Sequence, residues 1–436
     1  MDVSKAKCNG NGNGNTNGVV ANNGHAHGND NTNGVATTDT GVVANNGHVN
    51  GNGIHRLPFH DDVVVNLDRG DPKMYYPFWR NIDERCVVTI KASELMSYFA
   101  DVSPGGVFYQ MPEFATVVKK LHCVVGNAAV EGRYIIAGTG SSQLFTVALR
   151  ALAATVRHQA NFPLPVVCAE PFYSCYQEAL EEDKSEIYRW RGDAKEFKEE
   201  GPYVEVVTSP NNPDGTIRKP VVNREGGMVI ADLAYYWPQY TPITASLNYD
   251  VMLFTLSKCT GHAGSRVGWA IVKDREVAAN MIKQMSLMTI GSCREGQLRA
   301  TKMLDFVATT YQQSFATRGR PFRVSHPSEE GLFEFGQRVL AERWAKLRSA
   351  VKHCGVFKLL EFPVMYCNFM CEHIQPNPAY AWMECITGED AAGLLEGLNI
   401  KTRNGPRFGA SPRYTRVSML ESDETFDLFI ERLLTL

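Results

Sequence analysis

Six short apolar segments alternate with helical stretches in this 436-residue chain, and this alternation constrains the fold more than any other feature. Turn residues or polar patches bound each segment, and the segments lie at 134–137, 165–168, 203–207, 228–231, 251–256 and 267–272. Stretches with helical spacing, such as 143–156, lie between several of them. Short apolar strands that alternate with helices are typical of a mostly parallel sheet with helices on both faces. We therefore predict an α/β fold whose large domain contains this sheet.

The chain begins with a tract of a different composition. Residues 1–55 are dominated by Asn and Gly, have no aromatic side chain, and contain a segment, 18–25, that recurs at 41–48. Such a tract buries too little apolar surface to offset the entropy of ordering it. We predict a disordered tail over these residues.

The C-terminal part has a pattern of its own. It holds elements that we predict as a connecting helix at 329–353, strands at 364–370 and 414–419, and a final helix at 423–434. This order indicates a second, smaller α+β domain. We place the large domain at 87–325 and the small domain at 326–436, with 56–86 as an N-terminal segment of the small domain.

Composition and charge argue against several functions. The net charge of −3 is nearly balanced and shows no basic face, so we expect no nucleic-acid partner. No apolar run is long enough to cross a bilayer, and the N-terminus resembles neither a secretory signal nor a transit peptide. The 11 cysteines follow no regular frame, so we expect reduced thiols and a cytoplasmic location. Cys367, Cys371 and His373 lack a second pair of zinc ligands, so we predict no metal site.

Lys258 is the first candidate functional residue. It follows the apolar run 251–254 and precedes a glycine-containing loop that leads to Arg266 eight positions later. A lysine amine attacks an aldehyde when its site lowers its pKa, and an arginine is a permanently charged partner for a phosphate. Together they meet the needs of pyridoxal 5′-phosphate. A lone surface lysine is the alternative interpretation of Lys258 by itself.

A glycine-containing turn provides a candidate phosphate site. The segment 138–143 follows one predicted strand and opens a helix, where backbone N–H groups and the helix dipole bind anions. Ser141 and Ser142 add two hydroxyl donors. A plain connection between strand and helix is the alternative. The segment is not a complete GxGxxG fingerprint, which disfavours a dinucleotide-binding fold.

Polar and aromatic residues after the next strands suit the pyridine ring of that cofactor. Asn212 and Tyr235 offer hydrogen bonds to its phenolic oxygen, and Asp232 offers a carboxylate that keeps the ring nitrogen protonated. Tyr173 offers an aromatic face for stacking. The alternatives are a Pro/Gly turn around Asn212, a strand-end cap at Asp232 and core packing for the two tyrosines.

Arg416 lies in a late strand among apolar neighbours. Burying an unpaired arginine is costly, and a substrate α-carboxylate held by the guanidinium fork is a natural partner. An internal Asp or Glu is the alternative partner. The candidate residues gain weight from their order, because they follow one another at strand ends, where open α/β sheets bind ligands.

The ordered series resembles the fold-type I pyridoxal-phosphate enzymes and, among them, the plant alliinase and tryptophan aminotransferase family. The likeness extends from about Val64 to the C-terminus, and its signatures are at 66–72, 209–218, 234–238 and 257–269. The resemblance implies a large domain with a mostly parallel sheet and a smaller α+β domain, as in other fold-type I transferases.

The resemblance also implies roles for individual residues. Lys258 would carry the cofactor covalently, Arg416 would hold the substrate carboxylate, and the enzyme would be a homodimer. The other implied cofactor contacts are Ser141, Ser142, Tyr173, Asn212, Asp232, Tyr235, Ser257 and Arg266. Tyr98 matches a tyrosine that reaches the cofactor, and we expect it to act across the subunit interface.

The function implied is amino transfer between an amino acid and a 2-oxo acid. Our first hypothesis is an L-tryptophan–pyruvate aminotransferase that yields indole-3-pyruvate and L-alanine in indole-3-acetic acid (auxin) biosynthesis. Alliinase carries a cysteine-rich EGF-like segment and a secretory signal, and neither is found here, which favours the aminotransferase branch. The alternatives are a cysteine sulfoxide C–S lyase, an aminotransferase for another aromatic amino acid, and a binding protein that has lost its chemistry.

Overall fold

The computed structural model describes residues 63–100, 106–157, 162–319, 321, 330–388 and 390–436, so the tail predicted at 1–55 lies outside them. The helices are α1 (Tyr76–Arg80), α2 (Pro112–Val125), α3 (Gly140–Val156), α4 (Cys175–Asp183), α5 (Leu256–Cys259), α6 (Arg275–Thr289), α7 (Arg294–Arg318), α8 (Leu332–Cys354), α9 (Ala391–Glu396) and α10 (Asp423–Leu433). The strands are β1 (Val65–Asn66), β2 (Tyr134–Gly138), β3 (Leu164–Cys168), β4 (Tyr188–Asp193), β5 (Tyr203–Thr208), β6 (Gly227–Asp232), β7 (Val251–Thr255), β8 (Gly268–Val272), β9 (Phe357–Leu359), β10 (Met365–Cys367), β11 (Glu372–Ile374), β12 (Tyr380–Cys385), β13 (Ile400–Lys401), β14 (Arg403–Asn404) and β15 (Tyr414–Ser418).

A seven-stranded sheet has the order β2-β8-β7-β6-β5-β3-β4. All its neighbouring strands are parallel except β8, which is antiparallel to both β2 and β7. Strands β2 and β7 therefore point the same way, and the carboxyl ends of β2, β3, β5, β6 and β7 lie at one edge of the sheet. Open α/β sheets bind ligands at that edge.

Both faces of the sheet are buried, as β7 illustrates. Val251 and Leu253 belong to an apolar cluster that includes side chains of α3 and α6, whereas Met252 and Phe254 belong to another that includes side chains of α2. Successive side chains of a strand point to opposite faces, so a strand covered on both faces needs apolar residues at nearly every position. This explains why β7 is an almost unbroken apolar run.

A second, antiparallel sheet lies in the C-terminal part of the chain, in the order β14-β15-β12-β9. Helix α8 contacts both β9 and α10. Strand β1 pairs in parallel with β13, which joins residues 65–66 to 400–401. The domain boundaries at 87 and 326 stay a prediction.

The six predicted strands are all present, with differences at their ends. The strand predicted at 251–256 ends at Thr255, because the Thr255 hydroxyl accepts from the backbone N of Ser257 at 3.2 Å and caps α5. The strand predicted at 364–370 is shorter, because the chain turns after Cys367 to form β11. Strands β4 and β12 were not predicted, and β4 has no apolar run because most of its residues are polar or charged.

Cys367, Cys371 and His373 lie in the hairpin of β10 and β11, but their side chains make different contacts. The Cys367 sulfur accepts from the backbone N of Ile243 at 3.2 Å, Cys371 is exposed, and His373 packs edge-on against Tyr366. Across the described residues, no group of three or more His, Cys, Asp or Glu side chains is placed to hold a metal ion. None of the described helices is long and apolar enough to span a membrane. The cytoplasmic location and the lack of a nucleic-acid partner stay predictions.

His122 on α2 is fully buried in an aromatic cluster beneath the sheet. Its Nδ1 donates to Oδ1 of Asn127 at 2.7 Å, and its Nε2 accepts from Nε1 of Trp269 at 2.9 Å. Both ring nitrogens are therefore used by the neutral imidazole. Burial lowers the pKa of His122 to about 4, although the bond to Asn127 opposes this shift.

We expect the stability that depends on His122 to fall on acidification. Below about pH 6.5 His122 is protonated in the unfolded chain, whereas in the folded chain it stays neutral until about pH 4. The free energy of unfolding therefore falls by roughly 3 kcal/mol between these pH values. Thermal unfolding of the wild type and His122→Gln should differ most near pH 7.5 and converge toward pH 4. Exposed His353→Gln is the matched control, and a constant difference for His122→Gln would contradict the assignment.

Candidate active site

A cavity of about 230 Å³ lies at the carboxyl edge of the large sheet. Residues predicted from the sequence line most of it: Ser141, Ser142, Tyr173, Asn212, Asp232, Tyr235, Ser257, Lys258 and Arg266. The rest of the lining is Thr208, Ala234, Thr255 and Ala263. The lining residues lie at or after the ends of β2, β3, β5, β6 and β7, so the parallel strands bring together side chains that are far apart in the chain.

Two glycines allow the Arg266 guanidinium to approach the start of α3. Gly140 has a φ of +76°, and a Cβ there would lie 2.8 Å from Nη2 of Arg266. A Cβ at Gly268 would lie 2.7 Å from the carbonyl carbon of Gly140, so β8 packs directly on this turn. Arg266 also donates from Nη1 to the carbonyl oxygen of Ala263 at 3.1 Å. The cation is thus held beside the beginning of α3.

The start of α3 has the features of an anion site. Ser141 and Ser142 lie in its first turn and line the cavity, and this turn has neither a side-chain cap nor an acidic residue. The first N–H groups of a helix lack partners within the helix and carry partial positive charge. Together with Arg266, this turn fits a phosphate group.

Asp232, at the end of β6, is a buried carboxylate held by two donors. Tyr176 donates to Oδ2 at 2.8 Å, and the backbone N of Ala234 donates to Oδ1 at 3.1 Å. Burial raises the pKa of Asp232, and the two hydrogen bonds offset only part of that rise. Within the described residues, no cationic side chain pairs with Asp232. A positively charged group of a ligand would therefore stabilise this buried carboxylate.

Lys258 is positioned by its backbone as well as by its amine. It lies in α5, directly after β7, and its carbonyl oxygen accepts from Gln239 at 3.2 Å and from Tyr240 at 3.0 Å. Its Nζ donates to the carbonyl oxygen of Gly70. These contacts hold the lysine at the cavity wall.

The environment of the Lys258 amine favours its neutral form. Burial lowers the pKa of Lys258, and the charges of Arg416 and Arg266 lower it further, while Tyr380 and Asp71 oppose the shift. A neutral amine is the nucleophilic and proton-accepting form. This environment suits the role predicted for Lys258, which stays a prediction.

Arg416 is joined to the cavity through Asn212. It is 2% exposed on β15, and its Nη1 donates to Oδ1 of Asn212 at 2.9 Å. Its Nη2 donates to the carbonyl oxygen of Asp68, whose carboxylate pairs with Arg403 at 2.6 Å. In the part of the chain that the structure describes, no carboxylate forms an ion pair with Arg416, and its Nε has no partner.

Tyr98, like Arg416, is a predicted site residue that is not in the lining of the cavity of its own chain. It is 70% exposed, and the carbonyl oxygens of its neighbours Ser97 and Phe99 each accept from Nη1 of Arg294 at 3.0 Å. A role for Tyr98 in the site of a second subunit stays a prediction.

Sequence reasoning missed three residues at the site. Tyr176 holds Asp232, Tyr380 bonds to Tyr235, and Gly70 accepts from Lys258. Tyr176 lies three positions after Tyr173, and this helical spacing is a signal that could have revealed it. Nothing local marks Tyr380, because the contact joins positions 145 residues apart.

The residues present fit pyridoxal phosphate. The corner formed by Arg266 and the start of α3 suits the phosphate, Asp232 lacks a cationic partner, and Lys258 offers an amine with a lowered pKa. Asn212 and Tyr235 also line the cavity and supply polar groups. The fit rests on the chemistry of the donors at each end.

Comparison with known proteins identifies the family. A family model described as allinase matches residues 65–436. The chain belongs to the alliinase family. The resemblance drawn from the sequence motifs is thereby confirmed.

Relatives in this family have two kinds of names. Tryptophan aminotransferase-related protein 2 of Oryza sativa subsp. japonica is 47% identical over 86% of this chain and 74% of that protein. Tryptophan aminotransferase-related protein 2 of Arabidopsis thaliana is 42% identical over 86% of this chain and 81% of that protein. Alliin lyase 1 of Allium sativum is 34% identical, over 83% and 73%.

Among solved structures, aspartate aminotransferase of Thermus thermophilus with maleate matches 85% of this chain and 91% of its own, with a TM-score of 0.58. At 16% identity this likeness shows the fold alone. The predicted fold-type I class is confirmed. By family and fold, the chain is a pyridoxal-phosphate-dependent, aminotransferase-like enzyme.

Tyr176→Phe should weaken cofactor binding, because Asp232 loses a donor that lowers its pKa and becomes a poorer anion. A hydrogen bond to a charged group contributes about 1.5–3 kcal/mol, so we expect a roughly 10- to 100-fold higher dissociation constant, measured by titrating apoenzyme with cofactor. Tyr188→Phe, which removes a tyrosine bond to Asp183 far from the cavity, is the matched control. Equal affinities in the two variants would refute this role.

Proposed function

We propose that this enzyme transfers the amino group of L-tryptophan to pyruvate, yielding indole-3-pyruvate and L-alanine, as a step in indole-3-acetic acid synthesis. The proposal is supported by the names of relatives at 42–47% identity, which exceed the 34% identity to alliin lyase 1. An aminotransferase for another aromatic amino acid is the nearest alternative. A cysteine sulfoxide lyase is the second.

The observation that carries the proposal is the state of Arg416. Its buried guanidinium has an unpartnered Nε, and its described hydrogen bonds go to the uncharged oxygens of Asn212 and Asp68. The Asp68 carboxylate feels the charge of Arg416 but forms its ion pair with Arg403. A buried cation without an ion-pair partner of its own is costly, and a substrate α-carboxylate would supply one. We infer that Arg416 binds the carboxylate of both the amino acid and the 2-oxo acid.

The cofactor would be held by residues along the whole cavity. We infer that Arg266, Ser141 and Ser142 bind its phosphate, with Ser257 as a further contact. We infer that Asp232 binds the ring nitrogen, that Asn212 and Tyr235 bind the phenolic oxygen, and that Tyr173 packs on the ring. When bound, the cofactor supplies an electron sink for the carbanion formed at the substrate Cα.

Lys258 would then move the proton. Because burial lowers the pKa of Lys258, a larger share of its amine is neutral and can accept the proton from the substrate Cα and return it later in the reaction. Asp232, as an anion, stabilises positive charge on the ring nitrogen and favours that proton's departure. Arg416 would hold the substrate carboxylate and Arg266 the cofactor phosphate. This would fix the orientation of the substrate relative to the cofactor, so that the Cα–H bond is the one oriented for cleavage.

Aromatic side chains surround Arg416, which supports an aromatic substrate. The guanidinium carbon lies 4.1 Å from the ring centroid of Tyr380 and 5.3 Å from that of Phe408. Trp382 packs edge-on against Phe408 with centroids 5.4 Å apart. An indole, phenyl or phenol ring attached to a carboxylate held at Arg416 would meet similar apolar faces.

We also propose that the enzyme works as a homodimer in which Tyr98 completes the partner's site. Large apolar side chains are exposed on two segments, namely Met96, Tyr98 and Phe99 on one and Leu287, Met288 and Ile290 on the other. Arg294 joins these segments, because it follows the second and binds the backbone of the first. Exposed apolar groups of this kind mark interaction surfaces.

The substrate assignment is tested by supplying the holoenzyme with L-tryptophan and pyruvate and measuring indole-3-pyruvate. We expect ping-pong kinetics, and loss of turnover in Lys258→Ala but not in Lys273→Ala, which changes an exposed lysine just after β8. In parallel, S-alkyl cysteine sulfoxide is supplied without a 2-oxo acid. Pyruvate and ammonia from that reaction would assign a lyase instead, and a panel of amino acids would reveal a different donor.

The role of Tyr98 is tested by co-expressing Tyr98→Ala and Lys258→Ala subunits with different tags. Each homodimer should be nearly inactive. In a two-fold symmetric dimer, the mixed dimer has one site with both residues intact if Tyr98 crosses the interface, so a random mixture should recover about a quarter of wild-type activity. No recovery in isolated mixed dimers would show that Tyr98 does not act across the interface.

A further inference from the structure

Tyr380 is a buried ionisable residue at the active site that the mechanism above does not use. It begins β12, in the small antiparallel sheet, and its hydroxyl lies 2.7 Å from that of Tyr235. The two rings meet edge-on with centroids 5.5 Å apart. A residue from the second sheet therefore reaches the wall of the cavity built on the first.

The position of Gly70 shows how near Tyr380 lies to the Lys258 amine. A Cβ on Gly70 would overlap the Tyr380 hydroxyl and would lie 3.2 Å from Nζ of Lys258. The hydroxyl and the amine therefore both lie close to the same point beside Gly70. Glycine at position 70 keeps the space between them free of a side chain.

Tyr380 also faces a second cation. The Arg416 guanidinium carbon lies 4.1 Å from the centroid of its ring, which is cation–π distance. Burial raises the pKa of Tyr380, but the charges of Lys258 and Arg416 and the bond with Tyr235 outweigh burial, so its pKa lies below the usual value. The hydroxyl oxygen is thus polarised toward negative charge, next to a nitrogen that must gain and lose a proton.

We propose that Tyr380 is a positioning residue that raises the proton affinity of the Lys258 nitrogen through its hydroxyl oxygen. The inference rests on the proposed attachment of the cofactor to Lys258. It implies that two opposed influences set the proton affinity of the Lys258 nitrogen. Burial and the charges of Arg416 and Arg266 favour loss of the proton, whereas Tyr380 favours its retention. The charged and titratable groups that act on the pair are Asp71, Tyr173, Tyr235, Tyr240, Arg266, Arg403 and Arg416.

The experiment is a pH titration of the visible absorption band of the holoenzyme, which follows protonation of the Lys258 nitrogen. Tyr380→Phe should move the midpoint about one pH unit lower, a roughly tenfold loss of proton affinity. Tyr188→Phe is the matched control, because it also removes the hydroxyl of a buried tyrosine, but one that bonds to Asp183 and does not line the cavity. Its midpoint should stay at the wild-type value. Thermal unfolding checks that both variants are folded.

A second comparison separates a direct effect from one relayed by Tyr235. Adding Tyr380→Phe to Tyr235→Phe should still lower the midpoint if Tyr380 acts directly on the nitrogen, and no further shift would overturn the inference. Borohydride reduction and peptide mapping separate the two proposals. If reduced cofactor is found on Lys258 but the titration midpoint of Tyr380→Phe is unshifted, only the role of Tyr380 is refuted. If no reduced cofactor is found on Lys258, the proposed function is refuted and this inference with it.

Discussion

An ionisable side chain held away from water needs a counter-charge, a set of hydrogen bonds or a pKa shift that favours its neutral form, and three such side chains meet at this site. The protein meets that need only in part. Among the described residues, Asp232 receives two donors but no cation, Arg416 is bound by uncharged oxygens, and the Lys258 amine has one backbone acceptor. Under the proposed function, a ring cation, a substrate carboxylate and an aldehyde would complete these pairings. The chemistry of the site follows from these incomplete pairings.

The sheet converts residues scattered along the chain into this arrangement. Because β2, β3, β5, β6 and β7 end at one edge, a short connection after each strand is enough to deliver a side chain to the cavity. The second sheet contributes Arg416 and Tyr380 from β15 and β12, which are neighbouring antiparallel strands. Asn212 then links the two sheets, since it lines the cavity and also binds Arg416.

The sequence allowed prediction of those parts of the fold and site that depend on local patterns. Buried strands such as β7 were visible as apolar runs, and Lys258, Asp232 and Asn212 were visible because each follows such a run in a recognisable motif. Strand β4 was not predicted because its residues are mostly polar or charged and form no apolar run. Tyr176 was overlooked although it lies at a helical spacing from Tyr173, because its bond to Asp232 joins positions 56 residues apart. Tyr380 was overlooked because no local spacing reveals its contact with Tyr235. Tyr98 was identified by resemblance, and its exposure in one chain is compatible with a role in another.

The antiparallel strand β8 has a consequence for how this region can evolve. Lys258 and Arg266 lie in one connection between β7 and β8, closed where Thr255 pairs with Gly268 and where the backbone N of Leu256 donates to the carbonyl oxygen of Val267. The distance between the Lys258 amine and the Arg266 guanidinium therefore depends on the number of residues in this connection, whose two ends are fixed by these hydrogen bonds. Exchanges of individual side chains within the connection leave that span intact, whereas an insertion or deletion would alter it. Length, more than composition, is the property of this connection that natural variation must preserve.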